Sequence, residues 1–312
     1  MTLLPSRGPA MLISLAPCAW LIALWLSTVS ALAQSGGSQH AAPLSLADFE
    51  AGVSNAAREL EHEHRFKGLS EQQRRERTEF VVGNVLFATT HEVGHMLIQE
   101  MGLPVLGHEE NAADVYATLT GLKHTDVFSE RVLAAATHGW LLNERRDQKQ
   151  GTRPDYYDSH ALDRRRAYNI ACLLIGGDAD RFAKHVADTV KMPKDRQANC
   201  KNDFFVASWS WEKALVPDVR KPDQPKITFG VVYVESPNYE AFARAFRQIR
   251  LLETLANHLS DRYAWRRPLG LEMKSCDGDP NAFWNMATRS ITICYELAAD
   301  FAELHRDYGG AN

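Results

Sequence analysis

The chain has 312 residues, 24% of them charged and 45% hydrophobic, with a formal net charge of −4. That length can bury one large core or two smaller ones. The mild acidity, with no long run of Lys or Arg, argues against a nucleic-acid partner.

The first 33 residues read as a targeting segment and not as fold. Arg7 supplies a positive start, Met11 to Val29 is an apolar run, and Ala31-Leu32-Ala33 forms a small-x-small cleavage site. Pro17 inside the run favours cleavage over a retained anchor. The expectation is a signal peptide over 1–33, a periplasmic or secreted product, and no stable membrane insertion after cleavage. Residues 34–69 form an N-terminal segment. Its start is rich in Gly, Ser and Ala and reads as flexible, and Leu46 to Phe66 reads as a polar helix. Glu61-His62-Glu63-His64 lies there. Neighbours one or two apart on a helix do not share a face, so this cluster reads as a solvated surface.

Ser70 and Gln73 form a capping-box pair that predicts a helix start near residue 70. From Phe80 to Met101 apolar residues recur every three or four positions without a proline, the pattern of a buried helix. Gly102 and Pro104 stop it. Inside this run stands His91-Glu92-Val93-Gly94-His95. Four-residue spacing puts both imidazoles on one helix face, where they can hold one metal ion with Glu92 beside it to handle the proton of a water. A second helix opens at His108-Glu109-Glu110-Asn111-Ala112-Ala113-Asp114, after a loop short enough to make the two helices antiparallel neighbours. Glu110 is the expected third ligand. Asp114, one turn on, is placed to hold the outer nitrogen of a ligand histidine. Glu109 points about 100° away on the same helix and is the weaker choice, and His108 is a competitor.

Residues 70–215 read as a helical metal-binding region, with further segments near 127–148, 160–176, 178–191 and 195–215. Tyr156-Tyr157-Asp158-Ser159-His160 forms a loop and cap. His160, Tyr157 and Arg166 are candidates to donate to a developing oxyanion, with His160 assigned to the catalytic set. Arg164-Arg165-Arg166 reads as a helix face. Four cysteines remain after signal removal. An even count in an exported chain suggests two disulfides, and of the three possible pairings the local one, Cys172–Cys200 and Cys276–Cys294, is expected.

Val216 to Lys226 carries Pro217, Pro222 and Pro225 and reads as a linker. The C-terminal block, 227–312, changes pattern. Ile227 to Glu235 is β-rich, and Tyr239 to Tyr263 is one amphipathic helix. Leu269 to Cys276 is a strand, Ala282 to Met286 and Ser290 to Cys294 form a hairpin, and a helix covers Tyr295 to about Arg306. The fold class is therefore α+β: a mainly helical, zincin-like region with a C-terminal α/β block that holds a small antiparallel sheet and packs on the helices. Zinc peptidases commonly align substrate on an edge strand. No clear strand precedes His91, so any such edge must come from the C-terminal block.

His-Glu-x-x-His followed by Glu-x-x-x-Asp resembles the gluzincins. The stretches GNVLFATTHEVGHMLI, LPVLGHEENAAD, DSHALDRRRAYNIACLL and NAFWNMATRSITICYEL together resemble a family of secreted bacterial zinc metallopeptidases, over most of residues 80 to 312. Asn111 departs from that family, which more often has an acid there. The resemblance implies a Zn²⁺ peptidase acting on a peptide or protein substrate, and it names no particular substrate. In this reading His91, His95 and Glu110 are the ligands and Glu92 is the general base. The alternative is a zinc-binding structural or interaction protein without catalysis.

Overall fold

The computed structural model describes residues 46–123 and 127–309. The expected signal peptide and residues 34–45 after it lie outside the described residues. No helix among the described residues is long and apolar enough to cross a membrane.

The chain begins with α1 (Leu46–Glu59) and a short 3₁₀ turn. This helix ends sooner than its composition suggested. It is also less polar in role, because Val53, Ala56 and Leu60, with Phe66 just beyond, are buried. The 31-residue helix α2 (Glu71–Met101) follows. Ser70 and Gln73 cap it reciprocally, Gln73 N donating to Ser70 Oγ and Ser70 N donating to Gln73 Oε1. Gly102 ends it at φ 66°, a left-handed conformation that glycine adopts without steric cost. Then come α3 (Glu109–Leu122), α4 (Val127–Gln150), α5 (Asp163–Gly177), the short α6 (Ala179–Phe182) and α7 (His185–Val190), and α8 (Lys194–Leu215). A disulfide between Cys172 and Cys200 ties α5 to α8.

The proline-rich stretch after α8 is an ordered connection. Arg220 N donates to Arg262 O, and Ala264 N donates to Asp218 O, which holds it against the chain around Tyr263. Beyond it lie β1 (Gly230–Tyr233), α9 (Glu240–Ile249), α10 (Leu251–Arg262), β2 (Gly270–Lys274), β3 (Ala282–Asn285), β4 (Ser290–Cys294) and α11 (Tyr295–Tyr308). The single helix expected over Tyr239–Tyr263 is two, broken where Arg250 takes φ 57°. The apolar stripe runs on at helical spacing through the break, so periodicity alone does not show it.

The fold is α+β, but its sheet is mixed and not antiparallel. Strand order is β1-β2-β4-β3, with β1 and β4 parallel to β2 and only β3 antiparallel to β4. Connectivity explains the difference. The turn at 286–289 can return a strand only antiparallel, whereas the α9–α10 crossover brings β2 back parallel to β1. The disulfide Cys276–Cys294 links the end of β2 to the end of β4.

Helix α2 runs through the centre. Val81, Val82, Val85, Val93, Met96 and Leu97 pack in one core with α9, α10, the sheet and α11. Phe87 packs in a second core built on α4, α5 and α7. At about 25 cal/mol per Å² of apolar surface removed from water, burial on both sides fixes the helix that carries the histidines.

Candidate metal centre and active site

Gly94 sets the geometry. A Cβ at this position would lie 2.9 Å from Ala113 Cα, closer than real Cβ atoms come. The missing side chain lets α3 lie directly on α2, which brings its first turn over the histidine face.

Three acids then meet the two histidines. Asp114 Oδ1 is 2.8 Å from His91 Nδ1, and Glu109 Oε1 is 2.7 Å from His95 Nδ1. A carboxylate accepts, so each Nδ1 donates, and a neutral ring in this position turns its Nε2 lone pair inward. The two Nε2 atoms lie 3.2 Å apart. Glu110 Oε2 is 3.1 Å from His91 Nε2 and 3.3 Å from His95 Nε2. Donors bound tetrahedrally at about 2.0–2.1 Å from a zinc-like ion sit about 3.3–3.4 Å from one another. The three atoms therefore span one face of a metal coordination tetrahedron, and the donor set fits a metal ion.

His160 joins them from the loop before α5, its Nε2 2.8 Å from the same Glu110 oxygen. Tyr157 does not approach; it is 91% exposed. Arg166 is not on an exposed helix face but buried behind Asp114. Its Nε donates to Oδ2 at 2.8 Å and its Nη2 to Oδ1 at 2.6 Å, and its guanidinium lies 3.7 Å from the centroid of the Trp140 ring. His108 is the residue before α3, with its side chain exposed. Glu109, the weaker choice on spacing, is bound to the outer nitrogen of His95. Only the tilt of α3 across α2 determines that, and no spacing rule reports it.

Glu92 faces the far side of the cluster, its Oε1 4.0 Å from His91 Nε2. Its Oε2 accepts the backbone N–H of Trp284 at 2.8 Å. Cys294 N donates to Asn281 O, which fixes the alternation of the β3–β4 ladder and turns the N–H and C=O of Trp284 away from β4. Strand β3 is thus an edge of the sheet, and it lies beside the motif helix. Trp284 Nε1 donates to Gln99 Oε1, and Arg289 pairs with Glu100, which fastens the hairpin along α2.

The charges are set by these contacts. Burial opposes charge on His91, but the bonds to Asp114 and Glu110 prevail and raise its pKa. His95 is also disfavoured by burial, yet its bonds to Glu110 and Glu109 push it up to about 9. Burial would raise Glu110, and the surrounding imidazoles overcome it and hold its carboxyl well below the usual range. Asp114 is lowered against burial by His91 and Arg166. Burial raises Glu92, although both histidines and Trp284 N–H oppose the shift. Three carboxylates thus face the imidazoles and favour positive charge at this point, and beside them burial holds the Glu92 carboxyl up.

Two further groupings of potential ligands occur among the described residues. One is His91, Glu92 and His95, part of the same centre. The other is Cys276, Cys294 and Glu296, whose sulfurs are consumed by the disulfide and whose carboxylate accepts Ser275 Oγ and the N–H groups of Cys276 and Gly278. That carboxylate braces a turn.

The donor set is that of a metal-binding, metallopeptidase-like centre. Residues 56–215 and 232–312 match a protein family described as "Putative metallopeptidase", and the chain belongs to that family. No curated protein and no solved structure matches it.

Proposed function

We propose that the protein is an exported zinc-dependent metallopeptidase. His91, His95 and Glu110 would hold Zn²⁺, and Glu92 serves as the general base. The observation that carries this reading is the convergence of two Nε2 lone pairs and one carboxylate oxygen, with both outer ring nitrogens committed to carboxylates. Nitrogen and oxygen donors in that number suit zinc. Export rests on the signal-like start of the sequence and agrees with the two disulfides.

When bound, the ion supplies a water of lowered pKa and polarises the scissile carbonyl. Glu92 takes the proton of the attacking water and returns it to the leaving amine. Its burial, which raises its pKa, suits that two-way transfer. The edge strand β3 turns the Trp284 carbonyl away from β4, where an extended peptide can pair with it. The helical region 70–215 supplies the ligands and the block 227–312 supplies the edge, so the two act as one catalytic unit.

The test is metal analysis of the purified protein with cleavage profiling on a mixed peptide library, for the wild type and for Glu92→Gln. The variant is expected to keep its metal and lose turnover by at least about 10²-fold. Equal cleavage rates for the two proteins would overturn the assignment. One observation favours a closed, non-catalytic site instead: a fourth donor, His160, stands at the cluster.

A further inference from the structure

His160 repeats, on a surface loop, the arrangement that the two helix-borne histidines show. Its Nδ1 is 3.1 Å from Asp158 Oδ1, as His91 Nδ1 is bound by Asp114 and His95 Nδ1 by Glu109. Its Nε2 points to the same Glu110 oxygen that the other two Nε2 atoms approach, and it is the nearest of the three, at 2.8 Å. Its ring lies roughly parallel to that of His91, with centroids 6.2 Å apart. His91, Glu110 and His160 offer donor atoms that all lie within 4.8 Å of one another. An outer-nitrogen carboxylate is the usual companion of a metal-ligating imidazole, because it fixes the tautomer and raises ligand basicity. Here that companion occurs on each of the three imidazoles that approach Glu110 Oε2.

The supports differ, however. His91 and His95 stand on a helix buried in two cores, whereas residues 151–160 are all exposed. Within the loop, His160 N donates to Asp158 Oδ1 and Tyr157 N donates to Asp155 Oδ1, contacts that shape the loop without anchoring it to a core. Behind it opens a cavity of about 820 Å³, bounded by Asn143, Asp147 and Arg164 on the helix side and by Arg153, Tyr156 and Asp158 on the loop side. The loop therefore borders open space and not a packed core.

We propose that His160 is a fourth, displaceable protein ligand of the metal bound by His91, His95 and Glu110. With the loop seated, the ion is capped by three imidazoles and one carboxylate. An exogenous ligand reaches the ion only when the loop withdraws. This rests on the metal-centre reading above, and it accounts for an arrangement that otherwise favours a closed site.

The test uses the mature protein loaded with Co²⁺, comparing wild type with His160→Ala, a change on an exposed loop that leaves both cores intact. Azide is titrated while the visible d–d bands are followed, and metal affinity is measured by competition with a chromophoric chelator. A bound water titrates near neutral pH at such an ion and a capping imidazole does not. The wild-type spectrum should therefore be flat between pH 6 and 9, and the variant should show a transition. The variant should also bind azide at least about tenfold more tightly and hold the metal about 10- to 100-fold more weakly. Identical pH profiles, azide affinities and metal affinities would show that His160 only hydrogen-bonds to Glu110. Failure of the metal-centre reading looks different: Co²⁺ would then bind the wild type no better than it binds His91→Ala, and both ideas would fall together.

Discussion

At the scale of single residues, the centre depends on carboxylates that never touch the metal position. Asp114 holds His91 and is itself gripped by Arg166, and Glu109 holds His95. On the proposed ligand set, replacing Asp114 with Asn removes the charge that supports His91 as a ligand. Metal affinity by chelator competition should fall about 10- to 100-fold. Glu109→Gln should cost less, because the Glu109 side chain is 36% exposed against 11% for Asp114. Equal losses in the two variants would mean that burial of the acid is irrelevant. A second residue-scale prediction concerns His305, which packs 4.8 Å from the Phe80 ring and whose buried Nδ1 has no partner among the described residues. Burial, then the charges of Arg77 and His138, lowers its pKa to about 4. The folded protein thus keeps a neutral ring, whereas the unfolded chain takes up a proton near pH 6.5. Stability contributed by this site is present above that pH and is lost as pH falls from about 6.5 towards 4. Between pH 7 and 5 urea melts should show a loss of about 1–2 kcal/mol from this residue. His138 is shifted in the same direction, so His305→Phe should reduce the acid sensitivity without abolishing it. An unchanged difference between the two pH values in that variant would exclude His305 as a source.

At the scale of elements, the site is a product of how closely two helices approach. The backbone of α3 presses on Gly94, where a methyl group meets main chain that cannot rotate away. Gly94→Ala should destabilise the protein by about 1–3 kcal/mol, as overpacking does. It should also lower metal affinity, because Glu110 and Glu109 ride on the helix that is pushed out. Denaturant melts and chelator competition together check this; a stability loss with unchanged affinity would show that α3 yields elsewhere. The pairing of α2 and α3 was legible from His-Glu-x-x-His, the short loop and Glu-x-x-x-Asp. The role of Glu109 was not, since two adjacent acids on a helix differ only by rotation and tilt. The place of Arg166 is hidden for a similar reason: three consecutive arginines read as a helix face until a buried acid lies opposite one of them.

At the scale of the whole molecule, the C-terminal block completes what the helices begin. It covers the apolar face of α2 formed by Val81, Val82, Val93, Met96 and Leu97, and it brings Trp284 N–H to Glu92. A chain ending at Val216 should therefore aggregate, since that face would be open to water. Co-expressing residues 217–312 as a separate chain should restore part of the soluble yield, as measured by size-exclusion chromatography. A truncated chain that is monomeric, cooperative in melting and active would show that the sheet edge plays no part in the site.

The local code determined a great deal. Helix starts, stops and the two metal-ligand motifs follow from residue spacing, because a helix converts intervals of three and four into a shared face. The pairings Cys172–Cys200 and Cys276–Cys294 lay between segments close in sequence and could be read the same way. Tertiary structure decided what depends on distant parts of the chain. The break at Arg250 and the parallel pairing of β1 with β2 arise from the path of the crossover and leave no periodic trace. The contact between Trp284 and Glu92 joins residues 192 positions apart. The place of His160 among the donors belongs to this second group: a loop residue has no helical or strand interval to report where it points, so only the packed fold reveals its partners.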